Sequence, residues 1–269
     1  MGSDADTYTH GHQEAVLRSH RWRTAENSAA YLLPHLRPGM SLLDVGCGPG
    51  TLTADLAARV APGEVLAIDI SAEVIAEAEG HARKMGATNL TFAVGDFRSA
   101  GLAAGSFDVV HAHQVLQHLG DPVAALREMR RVCRPGGQVA ARDSDYPVMT
   151  FFPDDPELQR SLAGYGQLTR VNGANWDAGR RLLHWAHRAG FTEVVASASA
   201  WCFATPEDRG WWGGLWADRF TQSALAEQLL AHRIATDEDL VSFAAAWRRW
   251  ASSPDGWFAV LHGEVVATA

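Results

Sequence analysis

Cysteine is scarce in this chain, and long apolar runs are missing. The 269 residues include three cysteines, an odd number, and none of them stands in a Cys-x-x-Cys spacing. This usage leaves no disulfide framework and is typical of a reducing compartment. No run of 18 apolar residues occurs, which predicts that nothing spans a membrane. The polar stretch Met1 to His10 lacks the apolar centre of a secretory signal, so we expect a cytoplasmic protein.

Clustered positive charge is also lacking. The formal net charge is -8, whereas a protein that binds nucleic acid needs grouped Lys and Arg side chains to neutralise phosphates. The densest basic stretch, Arg127 to Arg134, falls on one predicted helix and turn and is typical of a solvated face. We therefore expect no nucleic acid among the partners.

The chain does have enough apolar sequence for one large core. Hydrophobic residues make up 47% of the 269 positions, and no internal repeat or low-complexity tract is visible. This composition predicts a single domain.

A glycine-rich turn follows the first predicted strand. Residues 42–51 are LLDVGCGPGT, with glycines at 46, 48 and 50. Glycine adopts backbone angles that other residues avoid and lets a ligand lie against the chain, so this turn predicts a nucleotide site. A dinucleotide fingerprint needs its third glycine at the sixth position of the turn, where this chain has Thr51. The Gly-Lys-Ser/Thr of a phosphate loop is absent too. The alternative interpretation of this turn is a Rossmann dehydrogenase.

Carboxylates follow the next two predicted strands. Asp69 ends an apolar run and lies 19 residues after Gly50, the offset expected for a helix plus a strand. Its two oxygens can accept hydrogen bonds from both hydroxyls of a ribose. Asp96 comes directly after the predicted strand Leu90 to Val94. The spacing predicts a nucleoside site at one edge of a parallel sheet.

The pattern Asp44-x-Gly46-x-Gly48-x-Gly50 resembles motif I of the class I S-adenosylmethionine-dependent methyltransferases. The resemblance implies an α/β Rossmann-like fold, a doubly wound seven-stranded sheet whose last strand is antiparallel. It implies S-adenosylmethionine as cofactor, with Asp96 and Phe97 at the adenine. Arg23 would lie at the cofactor's carboxylate, and the backbone of His113 near its amine. The expected cofactor-binding residues are Arg23, Asp44, Gly46, Cys47, Gly48, Gly50, Asp69, Ile70, Gly95, Asp96, Phe97 and His113.

A second resemblance concerns the subtype. The stretch VLQHLGDP at 115–122, with RPGG at 134–137, is similar to the ubiquinone and menaquinone C-methyltransferase type of small-molecule enzyme. It covers about residues 32–143 and implies a small acceptor molecule.

The remaining segments are expected to cover the cofactor and to choose the acceptor. A helix over 15–36 and two insertions are predicted to form a lid beyond the carboxyl ends of the strands, where open sheets bind ligands. The expected division is a lid segment 1–36, a core 37–143, a lid insertion 144–175, core again over 176–204, a Trp-rich helical insertion 205–255 and a terminal core strand 256–269.

Tryptophan is concentrated in the second half, since nine of the ten tryptophans lie from Trp176 onward. Trp247 and Trp250, at i and i+3 on one predicted helix, are expected to pack in a core. Trp211 and Trp212, flanked by glycines, predict a mobile aromatic wall and hence a planar aromatic acceptor. Exposed tryptophan also favours a homodimer. The expected substrate-binding residues are Trp22, Gln117, Tyr146, Trp211 and Trp212.

Methyl transfer needs a base only where the attacking atom carries a proton. Histidine titrates near neutrality, so His118 or His20 is the expected base, with Tyr8 and Asp145 as further catalytic candidates. His111 lies inside the predicted sheet without a completed ligand set, so we expect no metal.

The predicted reaction is methylation of a small aromatic or polycyclic metabolite, at an indole- or quinol-like carbon or else at oxygen or nitrogen. A quinone-biosynthesis methyltransferase is an alternative within this class. A cyclase or isomerase that binds the cofactor without transferring methyl groups, and a non-enzymatic scaffold for a partner enzyme, are the alternatives outside it.

Overall fold

The N-terminal segment is divided into short helices rather than forming one long helix. The computed structural model describes residues 14–269, and in it α1 (Glu14–Arg21) is followed by α2 (Ala25–Ser28) and a 3-10 turn (Leu33–His35). The Asn27 backbone N–H donates to Thr24 Oγ1 at 3.2 Å, and the Thr24 backbone N–H donates to Asn27 Oδ1 at 2.9 Å. This capping box starts a new helix, so the prediction of a single helix over 15–36 is wrong.

One mixed sheet forms the centre of the molecule. Its order is β3-β2-β1-β4-β5-β8, and β7 pairs with the other side of β8. The first five strands are parallel, and β8 runs antiparallel to both of its neighbours, which confirms the predicted last strand. The strands are β1 (Leu42–Val45), β2 (Val65–Asp69), β3 (Leu90–Val94), β4 (Phe107–His113), β5 (Cys133–Ser144), β6 (Thr150–Phe152), β7 (Val194–Phe203) and β8 (Trp257–Thr268).

The short strand β6 is an addition to the predicted seven. It pairs with the start of β8 on the same side as β5, after an interruption at residues 145–149. A 3-10 turn over Tyr146–Val148 occupies this interruption, directly after the carboxyl end of β5.

Helices connect the strands and build the two insertions. Helices cover residues 51–60, 72–85 and 122–132. Ser71 and Asp121 cap the second and third of them with a side-chain acceptor, whereas the first begins at Gly50 without one. The remaining helices are α3 (Thr51–Val60), α4 (Ala72–Met85), α5 (Pro122–Val132), α6 (Pro156–Val171), α7 (Ala178–Arg188), α8 (Pro206–Gln222), α9 (Ala224–Ala231) and α10 (Asp237–Ser252).

Both insertions share one aromatic core. Leu158 and Tyr165 of α6 belong to the same buried cluster as the tryptophans of α8 and α10. Trp247 and Trp250 are 0% and 2% exposed, so the prediction that they pack is confirmed. Within residues 14–269 no helix is both long and apolar enough to cross a bilayer.

Candidate active site

A cavity of about 400 Å³ lies where the carboxyl ends of the parallel strands meet α1 and α8. Pockets of this size hold small organic ligands, for which about 300–1,000 Å³ is usual. We call the part at the ends of β1, β2 and β3 the glycine side; Gly46, Gly48, Asp69, Ile70, Gly95, Asp96, Phe97 and Arg98 line it. We call the part beside β5, β7, β8 and α8 the aromatic side; Ser144, Tyr146, Trp201, Trp212, Trp216, Arg219 and Val260 line it.

Asp69 holds the glycine turn from the end of β2. Its Oδ2 accepts the Gly48 N–H at 3.0 Å, and its Oδ1 accepts the Ser71 N–H at 3.1 Å. A carboxylate oxygen has two lone pairs, so these bonds leave capacity on both oxygens of a side chain that lines the cavity. Gly48 leaves room for a ligand, because a Cβ placed on it would have only His20 Nδ1 within 4 Å, at 3.8 Å. Ile70 is 64% exposed beside them.

Asp96 carries its own counterion. Arg98 donates to Asp96 Oδ1 from Nε at 3.0 Å and to Oδ2 from Nη2 at 2.8 Å. These hydrogen bonds lower the pKa of Asp96. Phe97 is 5% exposed and offers the cavity an apolar face next to this charged pair.

Three residues of the predicted cofactor motif lie beneath the cavity rather than in its lining: Asp44, Cys47 and Gly50. Asp44 is buried and accepts the Thr53 hydroxyl at 2.6 Å, and it lies 2.8 Å from His111 Nδ1. It thereby ties β1 to α3 and β4. Burial and the nearby carboxylates raise the pKa of the Cys47 thiol, so it stays protonated.

The histidines at the centre of the cavity are neutral. His113 is 4% exposed, and neither ring nitrogen has a hydrogen-bond partner within residues 14–269. Burial, reinforced by Arg23 and Arg142, lowers the pKa of His113 well below its usual value. Burial and Arg23 lower the pKa of His118 to about 3. His20 also lines the cavity, from α1.

Gln114 links the N-terminal segment to the sheet. Arg23 Nη2 donates to Gln114 Oε1 at 2.7 Å, and Gln114 Nε2 donates to Ser144 Oγ at 2.7 Å. Its Nε2 is also 2.9 Å from His262 Nε2. Gln114 has φ 54, a left-handed conformation uncommon for a residue with a side chain. The network places Arg23 in the cavity lining, while its contact with the cofactor's carboxylate stays a prediction.

Asp145 does not line the cavity. Its two oxygens accept Arg180 Nε at 2.6 Å and Arg180 Nη2 at 2.7 Å, and its side chain is 3% exposed. A buried carboxylate that accepts two hydrogen bonds from one arginine is not available as a base, so the prediction of a catalytic Asp145 is wrong.

Of the three tryptophans predicted to bind the substrate, the structure places only Trp212 in the cavity lining. Trp211 and Trp212 lie inside α8, not in a glycine loop, and Trp212 lines the cavity while Trp211 does not. Trp22 also lies outside the lining; its ring centroid is 5.2 Å from that of Trp201 and 5.5 Å from that of Trp211. Gln117 and Tyr146 line the cavity, and Tyr8 lies outside the described residues.

Several lining residues escaped sequence reasoning. They come from α1, β5, β7, β8 and α8, and no local motif marks them: Ser19, Ser144, Trp201, Trp216, Arg219 and Val260. Gln114 also lines the cavity and could have been predicted from the sequence, because it directly follows the strand that ends at His113. The described part of the chain contains no group of three His, Cys, Asp or Glu side chains suited to a metal.

The chain matches the family model described as a methyltransferase domain over residues 36–190, more than half of its length. It belongs to the class I S-adenosylmethionine-dependent methyltransferases. This methyltransferase is 35% identical over 268 residues to an uncharacterized methyltransferase of Schizosaccharomyces pombe, a match that covers 96% of the chain and 95% of the relative.

Solved structures share the fold. The YcgJ protein of Bacillus subtilis matches with a TM-score of 0.60 and 17% identity, over 90% of this chain and 98% of that one. Haemonchus contortus phosphoethanolamine N-methyltransferase 2, solved with S-adenosylhomocysteine, matches with a TM-score of 0.56 and 18% identity, over 89% of this chain and 51% of that one.

S-adenosylmethionine is the methyl donor of this methyltransferase. The glycine side fits a nucleoside, because Asp69 retains acceptor capacity toward the cavity and Gly48 leaves the space beside it open. Phe97 adds an apolar surface next to Asp96.

Proposed function

We propose that this methyltransferase transfers a methyl group to a small aromatic or polycyclic metabolite. The observation that carries the proposal is the aromatic side of the cavity, where four aromatic side chains from three segments of the chain line one space: Tyr146, Trp201, Trp212 and Trp216. Large rings offer flat, apolar contact to a planar molecule. A carbon of indole or quinol type is the proposed acceptor atom, with oxygen and nitrogen as alternatives.

The proposed cofactor contacts follow the glycine side. Asp69 would accept the ribose hydroxyls, Asp96 and Phe97 would contact the adenine, and Arg23 would bind the carboxylate. When bound, S-adenosylmethionine supplies an electrophilic methyl group. The protein's contribution is to hold the acceptor in line with that group and to exclude water.

His118 and Gln117 are proposed to orient the acceptor. Gln117 Nε2 lies 3.1 Å from His118 Nε2, and Gln117 is 3% exposed. A histidine whose pKa is about 3 is neutral at physiological pH, so it serves as a hydrogen-bonding group and takes up a proton only from an acidic acceptor. His20, which lines the cavity from α1, is the alternative proton acceptor.

The experiment that tests the function uses deuteromethyl-labelled S-adenosylmethionine with a panel of indoles, naphthols and quinols, and with aliphatic amines and acids as the comparison set. We expect a labelled methyl group on aromatic acceptors, detected by mass spectrometry. Turnover restricted to the aliphatic set would contradict the acceptor class. A product of unchanged mass would favour the cyclase or isomerase.

Asp69→Ala is expected to weaken binding of S-adenosylhomocysteine by about 1.5 to 3 kcal/mol, roughly 10- to 150-fold, the usual contribution of hydrogen bonds to a charged group. Isothermal titration measures the loss. Glu73→Ala is the matched control, since Glu73 is an exposed carboxylate on the first turn of α4 and does not line the cavity. Equal affinities for the two variants would show that Asp69 does not hold the ribose.

A homodimer in the cytoplasm remains our proposal for the assembly. The tryptophans of α10 are buried within the chain itself, so their number does not add to the exposed surface. Exposed apolar side chains do occur elsewhere, among them Val195 at 69% and Trp257 at 41%. Light scattering tests the assembly, and a mass equal to one chain would refute the dimer.

A further inference from the structure

One face of α8 is turned toward the aromatic side of the cavity. Trp212, Trp216 and Arg219 line the cavity and stand at positions i, i+4 and i+7 of this helix. Residues at this spacing share one helix face. All three are buried, with exposures of 4%, 0% and 5%.

This face carries hydrogen-bond donors and no acceptor. An indole N–H and a guanidinium only donate. The Nε1 atoms of Trp212 and Trp216 are buried, and neither has an acceptor among residues 14–269. An interior donor whose hydrogen bond is not made is costly. Two of them one turn apart therefore call for an acceptor that a ligand would bring.

Three other buried indoles of this chain do have an acceptor. Trp201 Nε1 donates to Asn27 O at 2.7 Å, Trp247 Nε1 to Ser161 Oγ at 3.0 Å, and Trp250 Nε1 to Phe152 O at 3.1 Å. Within residues 14–269, the buried indole nitrogens without an acceptor are Nε1 of Trp212 and Nε1 of Trp216, the two tryptophans that α8 contributes to the cavity.

The donor face is held rigidly. The Trp216 ring is stacked on Trp247, with centroids 5.2 Å apart, and the Trp212 ring is stacked on Phe203 at 4.2 Å. The Arg219 guanidinium carbon lies 4.9 Å from the Trp216 centroid, and its Nη2 donates to Ser19 Oγ at 3.0 Å. Groups fixed in this way are preorganised for one ligand geometry.

The charged residues of the cavity also favour an anion on the aromatic side. Its two lining carboxylates, Asp69 and Asp96, are both on the glycine side, whereas the described residues of the aromatic side include Arg219 and no carboxylate. His113 and His118, between the two sides, are neutral because burial lowers the pKa of each. A ligand ammonium group at α8 would face the indole N–H donors and the Arg219 cation, which cannot accept its hydrogen bonds. A ligand anion would find hydrogen-bond donors and an opposite charge there.

We infer that Trp212, Trp216 and Arg219 form a carboxylate-recognition subsite, so that the aromatic acceptor is an aromatic acid. The carboxylate oxygens would accept from the two indole N–H groups and from the guanidinium, and the ring would lie among the aromatic side chains. This inference rests on the proposed function and names the chemical class of its substrate.

The test compares indole-3-acetate, its neutral isostere indole-3-acetamide and the cation tryptamine. Each is titrated calorimetrically into the full chain saturated with S-adenosylhomocysteine at neutral pH. We expect the acid to bind at least about tenfold more tightly than the amide, as charge-assisted hydrogen bonds require, and tryptamine to bind most weakly. The pair 1-naphthoate and 1-naphthamide repeats the comparison on another ring.

Three variants locate the preference. Trp212→Phe keeps an aromatic ring, though a smaller one, and removes the N–H, and Arg219→Gln removes the charge. Each is expected to reduce the acid-to-amide ratio by about threefold or more. Trp250→Phe is the control, because its N–H is satisfied outside the cavity, and it should leave the ratio unchanged.

Equal affinity for acid and amide, tighter binding of tryptamine, or no binding by either acid–amide pair would overturn the subsite. Its failure is separable from failure of the proposed function. Methylation of neutral indoles with no preference for acids would keep the function and remove the subsite. Tight binding of the acids with no transfer to any aromatic acceptor would do the reverse.

Discussion

Glu264→Gln is expected to destabilise the fold by about 3–5 kcal/mol, because it leaves the Arg142 charge buried without its partner. The two residues are directly opposite each other in the antiparallel β5–β8 pair. Arg142 Nε donates to Glu264 Oε1 at 3.1 Å, and the side chains are 1% and 6% exposed. Ser197 donates to Glu264 Oε2 at 2.8 Å, so the carboxylate is satisfied on both oxygens. Burial lowers the pKa of Arg142 to about 10, against the opposing effect of Glu264.

Urea denaturation measures the loss in the free energy of unfolding. The double variant Arg142→Leu with Glu264→Leu should recover most of it, because replacing both members of a buried pair with apolar groups removes the unpaired charge. Glu128→Gln is the surface control: Glu128 pairs with Arg131, whose side chain is 43% exposed, and the unfolding curve should not move. A Glu264→Gln curve that coincides with this control would contradict the prediction.

The pair also supports the cavity. The Arg142 guanidinium carbon lies 4.9 Å from the centroid of Trp201, which lines the aromatic side. We therefore expect Glu264→Gln to weaken binding on the aromatic side more than binding of S-adenosylhomocysteine. Titration of both ligands into the folded variant checks this.

Gly50→Ala is expected to cost about 2–5 kcal/mol of stability and to weaken cofactor binding at least about tenfold. Gly50 has φ +78, and a Cβ added to it would lie 2.8 Å from Ala78 Cβ and 3.1 Å from Ala78 Cα. The left-handed backbone and the collision with α4 both oppose a side chain. The helix α3 would have to move away from α4, and it begins directly after the glycine turn.

Gly86→Ala separates the two causes. Gly86 has φ +69 at the end of α4, and a Cβ there would meet nothing within 4 Å. This variant pays for the backbone alone, about 1–2 kcal/mol, and should bind S-adenosylhomocysteine normally. Equal unfolding midpoints for the two glycine variants would show that α4 yields to the extra methyl group.

Helices of the core can be predicted from the sequence because the features that start them are local. Ser71 and Asp121 cap α4 and α5 through bonds to residues three positions on, so the helix starts are written in adjacent residues. The prediction of one helix over 15–36 failed for a related reason. The capping box formed by Thr24 and Asn27 is also a local signal, and it starts a second helix where the prediction continued the first.

The surroundings of Asp145 and of the Trp211–Trp212 pair could not be predicted from neighbouring residues in the sequence. Asp145 is paired with Arg180, 35 residues away, and nothing in either neighbourhood announces the contact. Trp211 and Trp212 are consecutive, but successive residues on a helix point about 100° apart. One therefore lines the cavity and the other packs beside Trp22.

The sequence by itself determined the glycine side of the cavity, which we propose holds the methyl donor. The glycine turn, Asp69 and Asp96 follow successive strands of a parallel sheet, whose carboxyl ends meet at one edge whatever the rest of the chain does. The aromatic side, where we propose that the acceptor binds, was decided only by the tertiary structure. Ser19 and Arg219 are in contact across 200 positions of sequence. The packing of α1 and α8 against the sheet, and not any local pattern, selects which polar and aromatic groups line the cavity.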